Sequence, residues 1–234
     1  MTESSGITSF KDIAKAKKIG STAGTCSQVS LKLMAKKANV SYDKLNVVNI
    51  APPIFASAFT GGGIDAAVGW APWTMTLPPG VKVVSWDSEY GGVCPSINGL
   101  RPEYIAKYPS VPQRLFAVQA EAREAIAKNP QLAIDALQRS LQISPAVAKE
   151  FYEKHCCSRM PTFEQQLDPN SPWSLVNPAG GLAAQALLAS QMLHELGTIP
   201  APLKPEMIAE AIDPAPLRKF LSEQKTGERK TGER

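Results

Sequence analysis

The stretch that most constrains this chain runs from Lys17 to Leu33. Lys18 to Ser21 has the makings of a short strand, the small residues Thr22 to Ser27 turn the chain, and an apolar-periodic helix follows. A strand that turns directly into a helix commits the fold to a sheet with a helix laid against it. Thr25 and Ser27 are residue types that cap helices by accepting backbone N–H bonds. Gly24 permits a tight backbone at the turn. The first helical turn leaves its N–H donors unpaired, and the helix dipole adds positive character at the same place. Such a turn is a seat for a small anionic group. The plainer alternative is a capped helix that only packs on its strand.

The order of elements extends this unit. Phe10 to Ala16 forms a short helical turn with Ser9 as its cap, ahead of the strand. Ser27 to Ala38 carries Leu31, Met34, Ala35 and Ala38 at helical spacing, and Asn39 ends it. Leu45 to Ile50 is a valine-rich strand. Pro53 to Phe59 is a short helix closed by Gly61, Gly62 and Gly63. Ile64 to Trp70 is an apolar strand of the buried parallel kind, and Val81 to Trp86 is a further strand after the Pro78-Pro79-Gly80 turn. Strands alternating with helices predict a parallel α/β layer.

From Pro102 the pattern is helical. Segments Glu103–Lys107, Val111–Asn129, Pro130–Gln142 and Pro145–His155 open on or near prolines, as helices do. Residues 158–178 are proline-rich, polar and irregular. Leu182 to Leu196 is a strong helix stopped by Gly197, and Met207–Ile212 and Pro216–Ser222 are short closing helices. The division expected is an α/β lobe at 8–100, a mainly helical part at 101–222 that lacks strands to cover, and a disordered tail at 223–234. In that tail Lys-Thr-Gly-Glu-Arg occurs twice.

Composition removes several function classes. The chain has 234 residues, 44% of them hydrophobic, which suits an ordinary folded core. Its net charge is +4, and half of that comes from the terminal repeat with its four basic and two acidic residues. No basic footprint is left for nucleic acid or for an anionic membrane surface. No apolar run is long enough for membrane insertion. Met1 to Phe10 lacks the basic start and apolar run of a signal peptide. Cys26, Cys94, Cys156 and Cys157 match no zinc spacing, and only His155 and His194 exist to help, so neither a metal site nor a cofactor is expected. The neighbours Cys156 and Cys157 are not expected to bridge each other; free thiols or one loose pair are the expectation.

A second stretch, Gly62 to Trp73 (Gly62-Gly63-Ile64-Asp65-Ala66-Ala67-Val68-Gly69-Trp70-Ala71-Pro72-Trp73), completes a resemblance. The chain resembles the type II solute-binding proteins of ABC importers, in the taurine, alkanesulfonate and nitrate branch. That branch has a strand leading into a Gly/Thr/Ser turn, matched by Lys17–Ser27, and a Gly-x-Ile/Val-Asp-Ala-Ala strand with Trp and Pro, matched by Gly62–Pro72. Pro109–Ala120 and Met192–Pro200 match two further motifs in order. The resemblance covers residues 8–222 and implies a periplasmic-binding-protein-like fold of two α/β lobes with the ligand between them. It also implies that the sequence opens where the second lobe begins, with the front of lobe one not included.

The resemblance implies a small organic anion, sulfonate-like, as ligand, an ABC permease as partner, and the periplasm as location. The ligand-binding residues it points to are Thr22, Gly24, Thr25, Cys26 and Ser27 on the turn, Trp70 and Trp73 after the strand, and Asn98. Backbone N–H groups with the Thr25 and Ser27 hydroxyls supply bonds to sulfonate oxygens. An aromatic at a strand's C-terminal end covers the aliphatic part of a ligand, with core packing as the alternative for Trp73. Relatives carry an acidic residue where Ala71 stands, and taurine-type relatives a carboxylate where Asn98 stands. Both departures count against an amino-sulfonate and favour a neutral-tailed sulfonate or another small anion. Asp65 is expected to be structural.

Two other classes compete. The same fold hosts a desulfinase with a nucleophilic cysteine and pyrimidine-synthesising enzymes, and Cys26 occupies a helix start, where thiol pKa falls. A base to orient it is missing from the sequence pattern around His155 and His194. The last class is an interaction half-domain, with apolar helix surface driving association.

Overall fold

The computed structural model describes residues 1–2, 5–92, 94–156 and 160–232, with side chains through 224. The chain divides into two units: unit 1 is Met1–Cys94 with Leu188–Pro202, and unit 2 is Pro95–Leu187 with Leu203–Arg234. The helix that spans Gly181–Glu195 therefore starts in unit 2 and finishes in unit 1, a division the sequence pattern does not announce.

Unit 1 is built on three short parallel strands, β1 (Ile19–Ser21), β2 (Val47–Asn49) and β3 (Ala66–Ala67), in the order β2-β1-β3. Ile19 pairs with Val47 on one side and Ala66 on the other, and Gly20 with Val48 and Ala67. Between the strands run α1 (Cys26–Lys37) and α2 (Phe55–Thr60). Alternation sorts the side chains to two faces. Ile19, Val47, Ala66 and Val68 join Phe10, Ile13, Leu31 and Met34 on one face. Val48, Ile50, Ile64 and Ala67 join Phe55 and Phe59 on the other. Burial on both faces is what a parallel sheet requires.

The ends of the sheet are fixed by polar groups. Asp65 accepts the Lys17 and Lys18 N–H groups at 3.0 and 2.9 Å, and Asn46 Nδ2 donates to Lys17 O at 2.9 Å. Asp65 is thus structural: it ties the approach to β1 onto β3. Two expected strands come out differently. The 64–70 strand is reduced to Ala66–Ala67, because β1 offers only three residues to pair with; Val68 N–H still reaches Gly20 O at 2.9 Å. The 81–86 segment is no strand of the sheet. Val81 makes one isolated antiparallel bridge with Thr2, and Glu89 Oε1 then draws in Ser85 and Trp86 to start a helical turn at Asp87–Glu89.

Unit 2 contains no strand among the described residues. Its helices are α3 (Pro102–Lys107), α4 (Val111–Lys128), α5 (Gln131–Leu141), α6 (Pro145–Lys154), α7 (Phe163–Leu167), α8 (Gly181–Glu195), α9 (Pro205–Ala211) and α10 (Ala215–Gly232). α5 and α6 pack through Ile134, Ile143 and Ala148. Phe116, Phe163 and Phe220 join α4, α7 and α10, with ring centroids 5.6–5.8 Å apart. The helix drawn as α10 continues into the repeat, where an unstructured tail is the sequence expectation. Short α7 falls inside 158–178, where irregular chain is expected; Thr162 creates it by a reciprocal cap with Gln165.

Close packing against β3 gives a direct test. A Cβ on Gly69 would stand 2.5 Å from Cε2 of Phe55, a ring that is only 1% exposed and has no room to yield. Gly69→Ala is expected to lower the unfolding free energy by about 1–3 kcal/mol in urea denaturation. An unchanged midpoint would show that the Phe55 ring is not held against this strand.

Candidate functional site

Parallel strands end at one edge of their sheet, so the segments after β1, β2 and β3 all leave from the same side. The chain goes from central β1 to β2 on one flank, then crosses to β3 on the other. That reversal makes the C-terminal end of β1 the topological switch point, where open α/β sheets leave a crevice. The Thr22–Ser27 turn stands there, with Trp70 and Trp73 following β3 at the same edge.

The turn is built from its own side chains. Thr25 is the cap of α1, its Oγ1 accepting from Ser27 N–H at 3.3 Å and donating to Thr22 O at 2.8 Å. Ser27 Oγ accepts from Thr22 N–H at 3.1 Å and lies 3.2 Å from Ser21 Oγ. Ser27 is 2% exposed, so its hydroxyl serves the turn and faces away from solvent. Gly24 takes a left-handed φ of +70°, which a glycine adopts without strain. The end of β2 grips the turn as well: Thr22 Oγ1 donates to Ile50 O at 2.9 Å and Ala23 N–H to Asn49 Oδ1 at 3.0 Å. Gly24 N–H donates to Gln28 Oε1 at 2.7 Å.

These bonds leave the N–H groups of Thr25 and Cys26 without an acceptor among the described residues. Both residues are part-exposed, and the first turn of α1 carries no acidic side chain. The N–H groups of Ala23 and Gly24 are also on exposed residues, held by neutral carbonyl oxygens that a charged acceptor outcompetes. The electropositive element is therefore the backbone, with the Thr25 and Ser27 hydroxyls consumed in shaping it.

Of the other candidates, Trp70 is 36% exposed and Trp73 part-buried at the start of a helical turn. Asn98 is exposed in the irregular segment that opens unit 2. Cys26 is joined to Cys94 by a disulfide with Cα atoms 5.4 Å apart, a pair where the sequence left free thiols or one loose pair open. Cys156 is part-buried, and Cys157 lies outside the described residues. Among the described residues no three His, Cys, Asp or Glu gather as metal ligands, and no helix is long and apolar enough to cross a membrane. A cavity of about 440 Å³ in unit 2, lined by Arg123, Tyr152, Met160 and Phe163 among others, contains none of the sequence candidates.

Three residues of the site go unnoticed in the sequence. Asn49 and Gln28 hold turn amides, and Cys94 clamps the start of α1. A polar residue closing a valine strand is a usable signal for Asn49. Gln28 stands four residues after Gly24, a spacing that carries meaning only once the turn is known.

The buried hydroxyl gives a test. Removing Ser27 Oγ strips the acceptor from Thr22 N–H. Ser27→Ala is expected to lose about 1–3 kcal/mol of stability in chemical denaturation. Wild-type stability would mean that the turn does not depend on this network.

Comparison with known proteins gives concordant results. The model of a family described as NMT1/THI5 like matches residues 1–133. A protein of Brucella abortus carried under a binding-protein name is 32% identical over 144 residues, 58% of this chain. The chain spans 45% of that relative's length. The periplasmic aliphatic sulphonate binding protein SsuA of Escherichia coli superposes with a TM-score of 0.65 at 19% identity, over 91% of this chain and 63% of SsuA. The alkanesulfonate-binding protein SsuA of Xanthomonas axonopodis pv. citri, bound to MOPS, gives 0.63 at 17% identity, over 90% and 66%. The fold is that of the periplasmic binding proteins.

Proposed function

We propose, on the premise that this chain belongs to the NMT1/THI5-like family, that it is a solute-binding protein whose unit 1 holds the anionic end of a small sulfonate-like ligand on the Thr22–Ser27 turn. The observation that carries the reading is the pair of unclaimed N–H groups, Thr25 and Cys26, at a helix start on the switch-point edge. A sulfonate presents three oxygens that share one negative charge and accepts several such bonds at once. The two structural neighbours, named for sulfonates, support the ligand class. Trp70 offers a partly exposed ring for an aliphatic portion. Ala71 provides no carboxylate for an ammonium group, so a neutral tail suits the site better than taurine.

An ABC permease as partner and the periplasm as location follow from the same kinship. The disulfide supports that location, because such bonds persist in oxidising compartments such as the bacterial periplasm. An enzyme reading through a Cys26 nucleophile fares worse: a sulfur bonded to Cys94 has no thiolate to offer.

Thermal unfolding with a panel of ethanesulfonate, MOPS, taurine and nitrate tests the reading. Ligand at a hundredfold excess over Kd adds about 2.7 kcal/mol to the folded state. For a chain of this size that raises Tm by roughly 5–10 °C. Ethanesulfonate is expected to shift Tm more than taurine does. A cooperatively folded protein whose Tm ignores all four anions would overturn the proposal.

A further inference from the structure

We propose that the Cys26–Cys94 disulfide is a redox control on the anion seat: oxidised, it leaves the seat open, and reduced, it places a thiolate there. The inference rests on the reading of the turn as an anion seat. Cys26 is the first residue of α1, and its N–H is one of the two unclaimed donors. Its sulfur is tied to a residue 68 positions away, at the point where the chain leaves unit 1.

The segment ending at Cys94 runs along one face of α1. Tyr90 lies beside the Ser30 side chain, and a Cβ on Gly92 would come within 3.1 Å of Ser30 Oγ. Ser30 lies four residues after Cys26, hence one turn further along the same face. The disulfide closes this contact at the end nearest the seat. Tyr90 is itself anchored by burial against Phe10, with ring centroids 5.7 Å apart. Opening the disulfide therefore leaves the segment in place as far as Tyr90 and frees the sulfur of Cys26.

The chemistry is thiol–disulfide exchange with a dithiol as reductant. One thiolate of the dithiol attacks a sulfur of the pair and forms a mixed disulfide, expelling the other sulfur as thiolate. The second thiol of the reductant then displaces the remaining cysteine. Two electrons and two protons pass from the dithiol to the pair, giving two cysteine thiols and an oxidised reductant. In the disulfide the Cys26 sulfur is uncharged. As a thiol at the first position of a helix it meets the positive end of the helix dipole, which favours the thiolate. That thiolate then draws on the same positive helix start as a sulfonate and repels it.

The charged groups around α1 decide how far this goes. Asp87 and Glu89, on the tethered segment, oppose ionisation. Of the turn at Phe10–Lys15, Asp12 pairs with Lys15 at 2.6 Å and Lys11 adds a positive charge. The turn at Tyr42–Lys44 brings Asp43 and Lys44. On α1 itself, Lys32 pairs with Glu195 at 3.7 Å, and Lys36 and Lys37 stand in the last turn. His194 precedes Glu195 on α8. None of these is in the first turn of α1.

The test compares full-length wild type, purified without reductant or treated with dithiothreitol, with the variants Cys94→Ser and Cys26→Ser/Cys94→Ser. Ethanesulfonate affinity is measured by calorimetry at pH 6 and pH 8.5, and alkylation with iodoacetamide is mapped by mass spectrometry. Unreduced wild type is expected to leave Cys26 and Cys94 unlabelled. After dithiothreitol both should label, and affinity at pH 8.5 should fall at least tenfold. Cys94→Ser should lose affinity by a similar factor between pH 6 and pH 8.5, while the double variant has the same affinity at both. Matching pH profiles for the two variants, or free Cys26 in unreduced wild type, would overturn the control. If unreduced wild type binds ethanesulfonate at neither pH, the seat reading itself fails and the control falls with it. The alkylation map and the pH dependence of Cys26 labelling in Cys94→Ser then still report separately whether the bond exists and whether the thiol is acidified.

Discussion

Pairing of β1 with a neighbour on each side is the constraint on which unit 1 depends. Ile19, Gly20 and Ser21 are all buried; Ile19 and Gly20 pair with β2 and β3 at once, and Ser21 pairs with β2. Gly20 has no side chain, and the space it leaves is filled by Ile50 and Ile64; a Cβ there would meet Ile50 Cδ1 at 2.7 Å. The carboxylate of Asp65 takes up the two N–H groups just before the strand, which fixes where pairing begins. With β1 held in this way, the chain beyond Ser21 emerges at one place only, between the ends of β2 and β3. The turn is a consequence of that exit, and Asn49 and Ile50 secure it from the β2 side.

From this follows a division of labour within the turn. Side chains build it and backbone presents it. Thr25, Ser27, Asn49 and Gln28 spend their polar atoms on the N–H and C=O groups of residues 22–27. What remains outward is the start of a helix whose only formal charges, Lys32, Lys36 and Lys37, lie beyond its first turn. Such a seat has no charged side chain of its own, so its preference for anions comes from oriented amides. An added charge of either sign at position 26 acts on it directly, and that is why the state of the Cys26 sulfur matters.

Local features of the fold were legible in the sequence, and relational ones were not. Helices of unit 2 are announced by Pro102, Pro112 and Pro145 in their first turns, and the structure starts α3, α4 and α6 there, whereas α9 begins at Pro205, ahead of the expected Met207. The turn, its cap at Thr25 and the left-handed Gly24 were likewise readable, because each depends on residues a few positions apart. Strand extent was not: Ile64–Trp70 and Val81–Trp86 have the composition of strands, yet the partners available set how many residues pair. The direction of the Ser27 hydroxyl is a matter of side-chain rotamer, and the Cys26–Cys94 bond joins residues whose nearness exists only in the folded chain. The end of α8 counts with unit 1 although its composition, apolar nearly all round, does not say what it will pack on.

The central claim is that backbone amides of the Thr22–Ser27 turn receive an anion. Amide-resolved NMR of the unreduced protein during titration with ethanesulfonate tests it most directly. The account predicts that the Thr25 and Cys26 N–H resonances move furthest and saturate together, with Ala23 and Gly24 following as their side-chain acceptors are displaced. Saturable binding that leaves those four resonances where they were would contradict it.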